Sequence, residues 1–342
     1  MSMTKQDHHR WTVSRAFLMV ICLIASMIVT SSTATAKGPP PSGCLDLTGD
    51  TGSTTPVDDP VHDPAIFKDP SEQAYYVVST GVQQTPDDPG GIFLRRSVGS
   101  LEGPWEALGA LPVPEWTLAY GHNHLWGPDV VRVGDTFWLY YGVSQLGTQN
   151  SAIGVMSTTT PGDLDSWQDH GPVLMSQPGD PYNAIDPYVF KDRGTWYLAF
   201  GSWWEGIHLF ELEDMTSVSG EPVQLAEVTG APSLEAPSII YRQGYYYLFT
   251  SRGFIVSDSY HVQVGRSRNL TGPYVDRDGM PLLEGGGTVV LEPEGGAGGQ
   301  DILEDRGRYY MVNHYYEWDP LQIRMQICEL QWDDRWPDVP ED

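Results

Sequence analysis

One pattern of apolar and polar positions recurs five times along the chain: a short apolar strand, a polar turn carrying Gly or Asp, then a strand rich in aromatic and aliphatic residues. Asp63-Pro64-Ala65-Ile66-Phe67 leads into Ala74-Tyr75-Tyr76-Val77-Val78-Ser79, and Pro128-Asp129-Val130-Val131 into Thr136-Phe137-Trp138-Leu139-Tyr140-Tyr141-Gly142. Asp186-Pro187-Tyr188-Val189-Phe190 leads into 195–201, Ala236-Pro237-Ser238-Ile239-Ile240 into 245–251, and Asp301-Ile302-Leu303 into 308–312. Two such strands across a tight polar turn make a hairpin. With Asp63, Asp129, Asp186, Glu235 and Asp301 as markers, the steps are 66, 57, 49 and 66 residues. A period near ~50 with a hairpin in every unit fits a propeller blade of about four strands and exceeds the ~20–30 of a solenoid coil. The predicted fold is all-β, a five-bladed β-propeller over 61–342. The innermost strand of each blade begins near the central axis, so the markers are expected to converge on one mouth of the channel.

Composition agrees with short strands. The 342 residues include 37 Gly, 27 Pro, 12 Trp and 18 Tyr, a balance that favours turns and strands over long helices. Against 19 Lys+Arg stand 45 Asp+Glu, a formal charge of −26. Nucleic acid and anionic membranes are held by clustered basic side chains, so neither is an expected partner, and the chain is expected to act as a monomer.

The beginning of the chain has a different character. Lys5, Arg10 and Arg15 precede the uncharged apolar run from Ala16 to Val29, and Ala34-Thr35-Ala36 supplies small residues of the kind found before cleavage. That run is shorter than the ~20 residues a spanning helix needs, so 1–36 is expected to be a secretory signal cleaved near Ala36. Residues 37–60 are expected to be an N-terminal linker. Cleavage leaves 16 Lys+Arg against 44 Asp+Glu, a net charge of −28, which suits a hydrated coat on an exported protein. Cys22 leaves with the signal. Cys44 and Cys328 remain, either bridged across the two ends of the mature chain or both free.

Acids gathered at a channel mouth raise one another's pKa, so a purely structural position there would favour Asn or Ser. Asp129 and Asp301 read better as residues that cap turns or bond backbone amides. Asp63, Asp186 and Glu235 read as chemistry. Cleaving a glycosidic bond requires a protonated carboxyl to donate to the leaving oxygen and an ionised one to activate water. A third carboxylate beside the acid keeps it protonated. Trp126, Trp203 and Trp204, close to marker strands, are candidates for stacking on sugar rings.

Five segments in order carry a resemblance: His62-Asp63-Pro64, Trp126-Gly127-Pro128-Asp129, Asn183-Ala184-Ile185-Asp186-Pro187, Phe200-Gly201-Ser202-Trp203-Trp204-Glu205-Gly206-Ile207 and Glu235-Ala236-Pro237. Together they resemble glycoside hydrolase family 43, closest to its endo-1,5-α-L-arabinanases, from about Val61 to Trp336. The resemblance implies a secreted inverting hydrolase of α-1,5-linked arabinan. It implies Asp63 as general base, Glu235 as general acid and Asp186 as the residue that tunes and orients the acid. It also implies sugar contacts from Gly127, Asn183, Ala184, Ile185, Trp203, Trp204 and Glu205. For inversion, the base and acid carboxyls are expected to stand about 6.5–9.5 Å apart.

One departure concerns a metal. Many arabinanases carry Gly-Pro-Gly-His at the start of the fifth blade, and that His helps hold a channel ion, usually calcium. Here the segment is Gly296-Ala297-Gly298-Gly299, so the expected ligand is absent. His314 is the remaining candidate, although a histidine satisfied on an inner strand needs no metal. No zinc-spaced Cys/His cluster or phosphate-binding glycine loop occurs, and no organic cofactor is expected. Two alternatives stay open at this level: an exo-acting arabinofuranosidase or xylosidase on the same fold, and a carbohydrate-binding propeller without catalysis.

Overall fold

Both faces of every blade are buried, which explains why the sequence shows aromatic runs instead of strict alternation. In 74–78, Tyr75 and Val77 pack toward the fifth blade, while Ala74, Tyr76 and Val78 pack toward the second. The computed structural model describes residues 43–45, 47, 60–82, 90–121, 123–145, 147–227, 233–318 and 321–340; the expected signal lies outside them.

Four antiparallel strands make the first blade, β1 (His62–Asp69), β2 (Ala74–Thr80), β3 (Ile92–Val98) and β4 (Trp105–Ala110). The second is β5 (Trp126–Val133), β6 (Thr136–Ser144), β7 (Ser151–Thr158) and β8 (Gln168–Ser176), and the third is β9 (Tyr188–Asp192), β10 (Thr195–Phe200), β11 (Ile207–Asp214) and β12 (Ser217–Ala226). The fourth holds β13 (Leu234–Arg242), β14 (Tyr245–Arg252), β15 (His261–Ser267) and β16 (Thr288–Leu291), and the fifth β17 (Ala297–Asp305), β18 (Arg308–Trp318) and β19 (Leu321–Glu329). The first strands of neighbouring blades touch around the axis. Five hydrophobic clusters fill the five junctions between blades, so the expected five-bladed propeller is the observed fold.

The ring closes on a segment expected to be linker. Gly43 and Leu45 pair with the outer edge of β19: Leu45 N donates to Ile327 O and Glu329 N to Gly43 O, each at 2.8 Å. Cys44 and Cys328, left open by the sequence, form a disulfide beside these bonds. At least Gly43 to Leu45 therefore belong to the fifth blade. A hairpin of β20 (Gln331–Asp333) and β21 (Trp336–Asp338) follows. It is held to the fourth blade by Arg242 over Trp332 at 4.0 Å and Arg266 over Trp336 at 4.2 Å. Among the described residues, no helix is long and apolar enough to cross a membrane.

Candidate active site

The five acidic markers are not equivalent positions. Each inner strand opens on one residue with left-handed φ: Asp63 (46°), Gly127 (44°), Asp186 (53°), Ala236 (53°) and Gly299 (58°). These five, with the residues that follow them, line a narrow cavity at the axis. In four of them the next residue is Pro. The left-handed residue breaks the pleat, and in four blades the strand register slips at this point. Asp63 and Asp186 occupy the corner itself. Glu235 lies one residue earlier and leaves its strand on the other side. Asp129 and Asp301 lie two residues later, deeper in the channel.

That offset separates structural acids from the rest. Asp129 Oδ2 accepts from Val189 N at 2.6 Å, tying the second blade to the third. Asp301 Oδ2 accepts from Ile66 N at 2.8 Å, tying the fifth to the first. Both bond backbone amides, as the sequence suggested. Burial raises both pKa values, that of Asp301 to about 6 despite the two amides it binds.

The corner acids and Glu235 are charged differently. Burial pushes Asp63 up, but the charge and hydrogen bond of His62, the charge of His314 and the Thr80 hydroxyl outweigh it and hold the carboxyl at about 2. His62 Nδ1 lies 2.7 Å and Thr80 Oγ1 2.9 Å from the same oxygen, Oδ2. Glu235 moves the other way: burial and the charge of Asp63 raise it, against hydrogen bonds from Tyr260, Ser202 and Trp203. Tyr260 Oη donates to Oε1 at 2.8 Å, and Ser202 Oγ and Trp203 Nε1 donate to Oε2, both at 2.9 Å. Asp186 is raised by burial and then by the charges of Glu235 and Asp63, while Oδ2 accepts from Ala236 N at 3.2 Å. Burial thus makes both Asp186 and Glu235 resist ionisation, and the charge of Glu235 adds to the resistance of Asp186.

The other predicted contacts divide into surface and support. Trp204 and Glu205 are exposed and Trp203 half-buried on the Gly201–Gly206 turn above Glu235. Asn183 and Ala184 are buried below the mouth: Asn183 Oδ1 accepts from Ser151 Oγ at 2.6 Å, and Ala184 N donates to Ser176 Oγ at 3.0 Å. Ile185 is buried too, and packs where a side chain on Gly142 would begin. These three support the corner at Asp186. Gly127 was expected to admit a sugar ring, yet a Cβ there would lie 2.9 Å from Asp186 Oδ1. Its missing side chain makes room for that carboxylate.

Among the described residues, the one cluster able to gather around the metal implied by the resemblance has its nitrogens already engaged. His62, Asp63 and His314 present atoms within 4.8 Å of one another. All four ring nitrogens, however, already have protein partners: Asp63 and Tyr316 for His62, and Asp63 N and Tyr316 for His314. Gly299 offers no side chain, and a Cβ there would strike Asp63 Oδ1.

Sequence reasoning passed over Thr80, Tyr260, Tyr316 and Phe254. Phe254, exposed on the loop after β14, stands 6.0 Å from Trp203 and extends its aromatic surface. Tyr260 and Tyr316 are two of 18 tyrosines and carry no local signal. The Phe200-to-Ile207 segment did contain Ser202, but not the bond that gives it a role.

Known proteins resemble this chain in sequence and fold. The family model described as glycosyl hydrolases family 43 matches residues 53–337. "Arabinan endo-1,5-alpha-L-arabinosidase C" of Emericella nidulans is 37% identical over 302 residues, 81% of this chain and 91% of that protein. The "extracellular endo-alpha-(1->5)-L-arabinanase 1" of Bacillus subtilis is 35% identical over 290 residues, 81% of this chain and 87% of its own. The solved structure of Cellvibrio cellulosa α-L-arabinanase complexed with arabinohexaose superposes with a TM-score of 0.73 at 33% identity, covering 83% of this chain and 96% of the other. With its five blades, its acids at one mouth and a family match over most of its length, the chain belongs to glycosyl hydrolase family 43.

Proposed function

We propose that this protein is an inverting endo-1,5-α-L-arabinanase in which Asp63 is the general base, Glu235 the general acid and Asp186 the residue that keeps Glu235 protonated. The observation carrying this reading is the opposed protonation of two carboxyls at one mouth, Asp63 held at about 2 and Glu235 raised. Asp63 takes a proton from water, whose oxygen bonds to the anomeric carbon. The glycosidic C–O bond breaks as Glu235 gives its proton to the leaving oxygen. One face receives the water and the opposite face loses the sugar, so configuration inverts. Trp203, Trp204, Phe254 and Glu205 offer the surface for the arabinose units, and Gly127, Asn183, Ala184 and Ile185 hold Asp186 in place. The arabinanase names of the relatives support the substrate, and the extracellular Bacillus relative together with the apolar segment at 16–29 supports export.

Linear arabinan is the test. Asp63→Asn and Glu235→Gln are each expected to lose roughly 10²–10⁴-fold in rate, the usual weight of acid–base catalysis, with unchanged melting. Early products should form a ladder of oligomers whose new reducing ends begin as the β anomer. Full activity in either variant overturns the role assignment, and arabinose alone from the first minutes overturns the endo mode.

A further inference from the structure

The two histidines and the tyrosine beside Asp63 have directions that the backbone dictates. A backbone N–H can only donate, and Asp63 N lies 3.1 Å from His314 Nδ1. That nitrogen therefore accepts, and a neutral imidazole then carries its proton on Nε2. His314 is fully buried, and burial pushes its pKa well down, which keeps it neutral. Its Nε2–H points at Tyr316 Oη, 3.1 Å away. The tyrosine hydroxyl is left to donate to its other neighbour, His62 Nε2, also at 3.1 Å. In its neutral form, reached above a pKa that the neighbouring Asp63 raises, His62 accepts there, so its proton sits on Nδ1 and is donated to Asp63 Oδ2 at 2.7 Å.

We infer that His62, Tyr316 and His314 form a closed ring of hydrogen bonds that begins on the backbone N–H of Asp63 and ends on its Oδ2, and that the ring aims Oδ1 into the channel as the working oxygen of the base. The two histidine rings stack at 4.0 Å, which fixes their planes relative to each other. Thr80 Oγ1 donates a second bond to Oδ2 and accepts from Gly127 N, both at 2.9 Å, so Oδ2 has two donors from the first blade, one of them tied to the second blade. Oδ1 takes no part in the ring and faces Gly299, where a Cβ would collide with it. The ring also grips a residue whose φ of 46° is unfavourable for any side-chain-bearing amino acid. One set of bonds thus holds the strained backbone and the carboxylate together. His62, Tyr316 and His314 are positioning residues; they act through Asp63.

The functional half of this inference rests on reading Asp63 as the base; the tautomers do not. Nitrogen-15 NMR of the wild-type protein, taken above the raised titration of His62, should show His62 as the Nδ1–H tautomer and His314 as the Nε2–H tautomer. The opposite tautomer at His314 overturns the ring whatever the activity. Tyr316→Phe removes one hydroxyl and keeps the aromatic packing. It should lower kcat on linear arabinan about 10- to 100-fold, the scale of a misaimed catalytic group, with KM within twofold and melting within a few degrees. In the same variant, the Nδ1–H signal of His62 should lose its single-tautomer character. Wild-type kcat in Tyr316→Phe, beside an inactive Asp63→Asn, overturns the positioning role and leaves the proposed function standing. Absence of arabinan cleavage by the wild type overturns the proposed function, and the two tautomers still decide the ring.

Discussion

Tyr260→Phe gives the sharpest test of how Glu235 is tuned. The hydroxyl lies 2.8 Å from Glu235 Oε1, and Tyr260 is 1% exposed, so no water replaces it without rearrangement. A hydrogen bond to a charged acceptor is worth about 1.5–3 kcal/mol and one to a neutral acceptor about 0.5–1.5 kcal/mol. The difference, about 1–1.5 kcal/mol, favours the ionised form and corresponds to about one pKa unit. Removing the donor therefore raises the pKa of Glu235 further above its ordinary value. Glu235 must be protonated to act, so activity extends to higher pH. The alkaline limb of kcat/KM on linear arabinan should move up by about one unit, with kcat at the optimum lowered a few-fold because a weaker acid donates less readily. Phe keeps the ring packed near His314, whose centroid is 5.8 Å away, so melting should change little. A limb that stays within a few tenths of a unit, or moves down, refutes the assignment of that limb to Glu235.

Gly127→Ala introduces a Cβ 2.9 Å from Asp186 Oδ1 at a φ of 44°, so it should cost about 1–2 kcal/mol of stability and lower kcat at least about 10-fold by displacing Asp186; a wild-type kcat contradicts the role given to that glycine. Phe254→Ala should raise KM for the polymer about 2- to 10-fold, the worth of one aromatic contact, and leave kcat alone; an unchanged KM removes Phe254 from the sugar surface. The double variant Cys44→Ser, Cys328→Ser should lose about 2–5 kcal/mol in denaturant unfolding, because the bridge joins residues 284 apart. Equal stability of oxidised protein and variant means that the backbone pairs between Gly43–Leu45 and β19 close the ring unaided.

The fold was legible because a propeller is built from local pieces. Each blade is a meander of hairpins, and each hairpin writes its own signature of apolar strand, polar turn and aromatic strand. The same repetition showed that acids recur near the starts of inner strands. It did not show that these acids occupy three different depths. Spacing along the chain does not register that Asp63 and Asp186 sit on a left-handed corner, Glu235 one residue before it, and Asp129 and Asp301 two residues after. A single residue in a strand reverses the direction of a side chain, so an offset of one decides whether a carboxylate faces the channel or the neighbouring loop.

Blade number and the recurrence of acids near the starts of inner strands were determined by sequence alone, since each follows from short-range pattern and residue type. Ring closure decided the rest. It brings Tyr316 to His62 across 254 positions and His314 to Asp63 across 251, and it seats Gly43 and Leu45 on the last blade. Those partners are adjacent only because five twisted sheets meet around one axis, and no local pattern records which residues of the first blade will face the last.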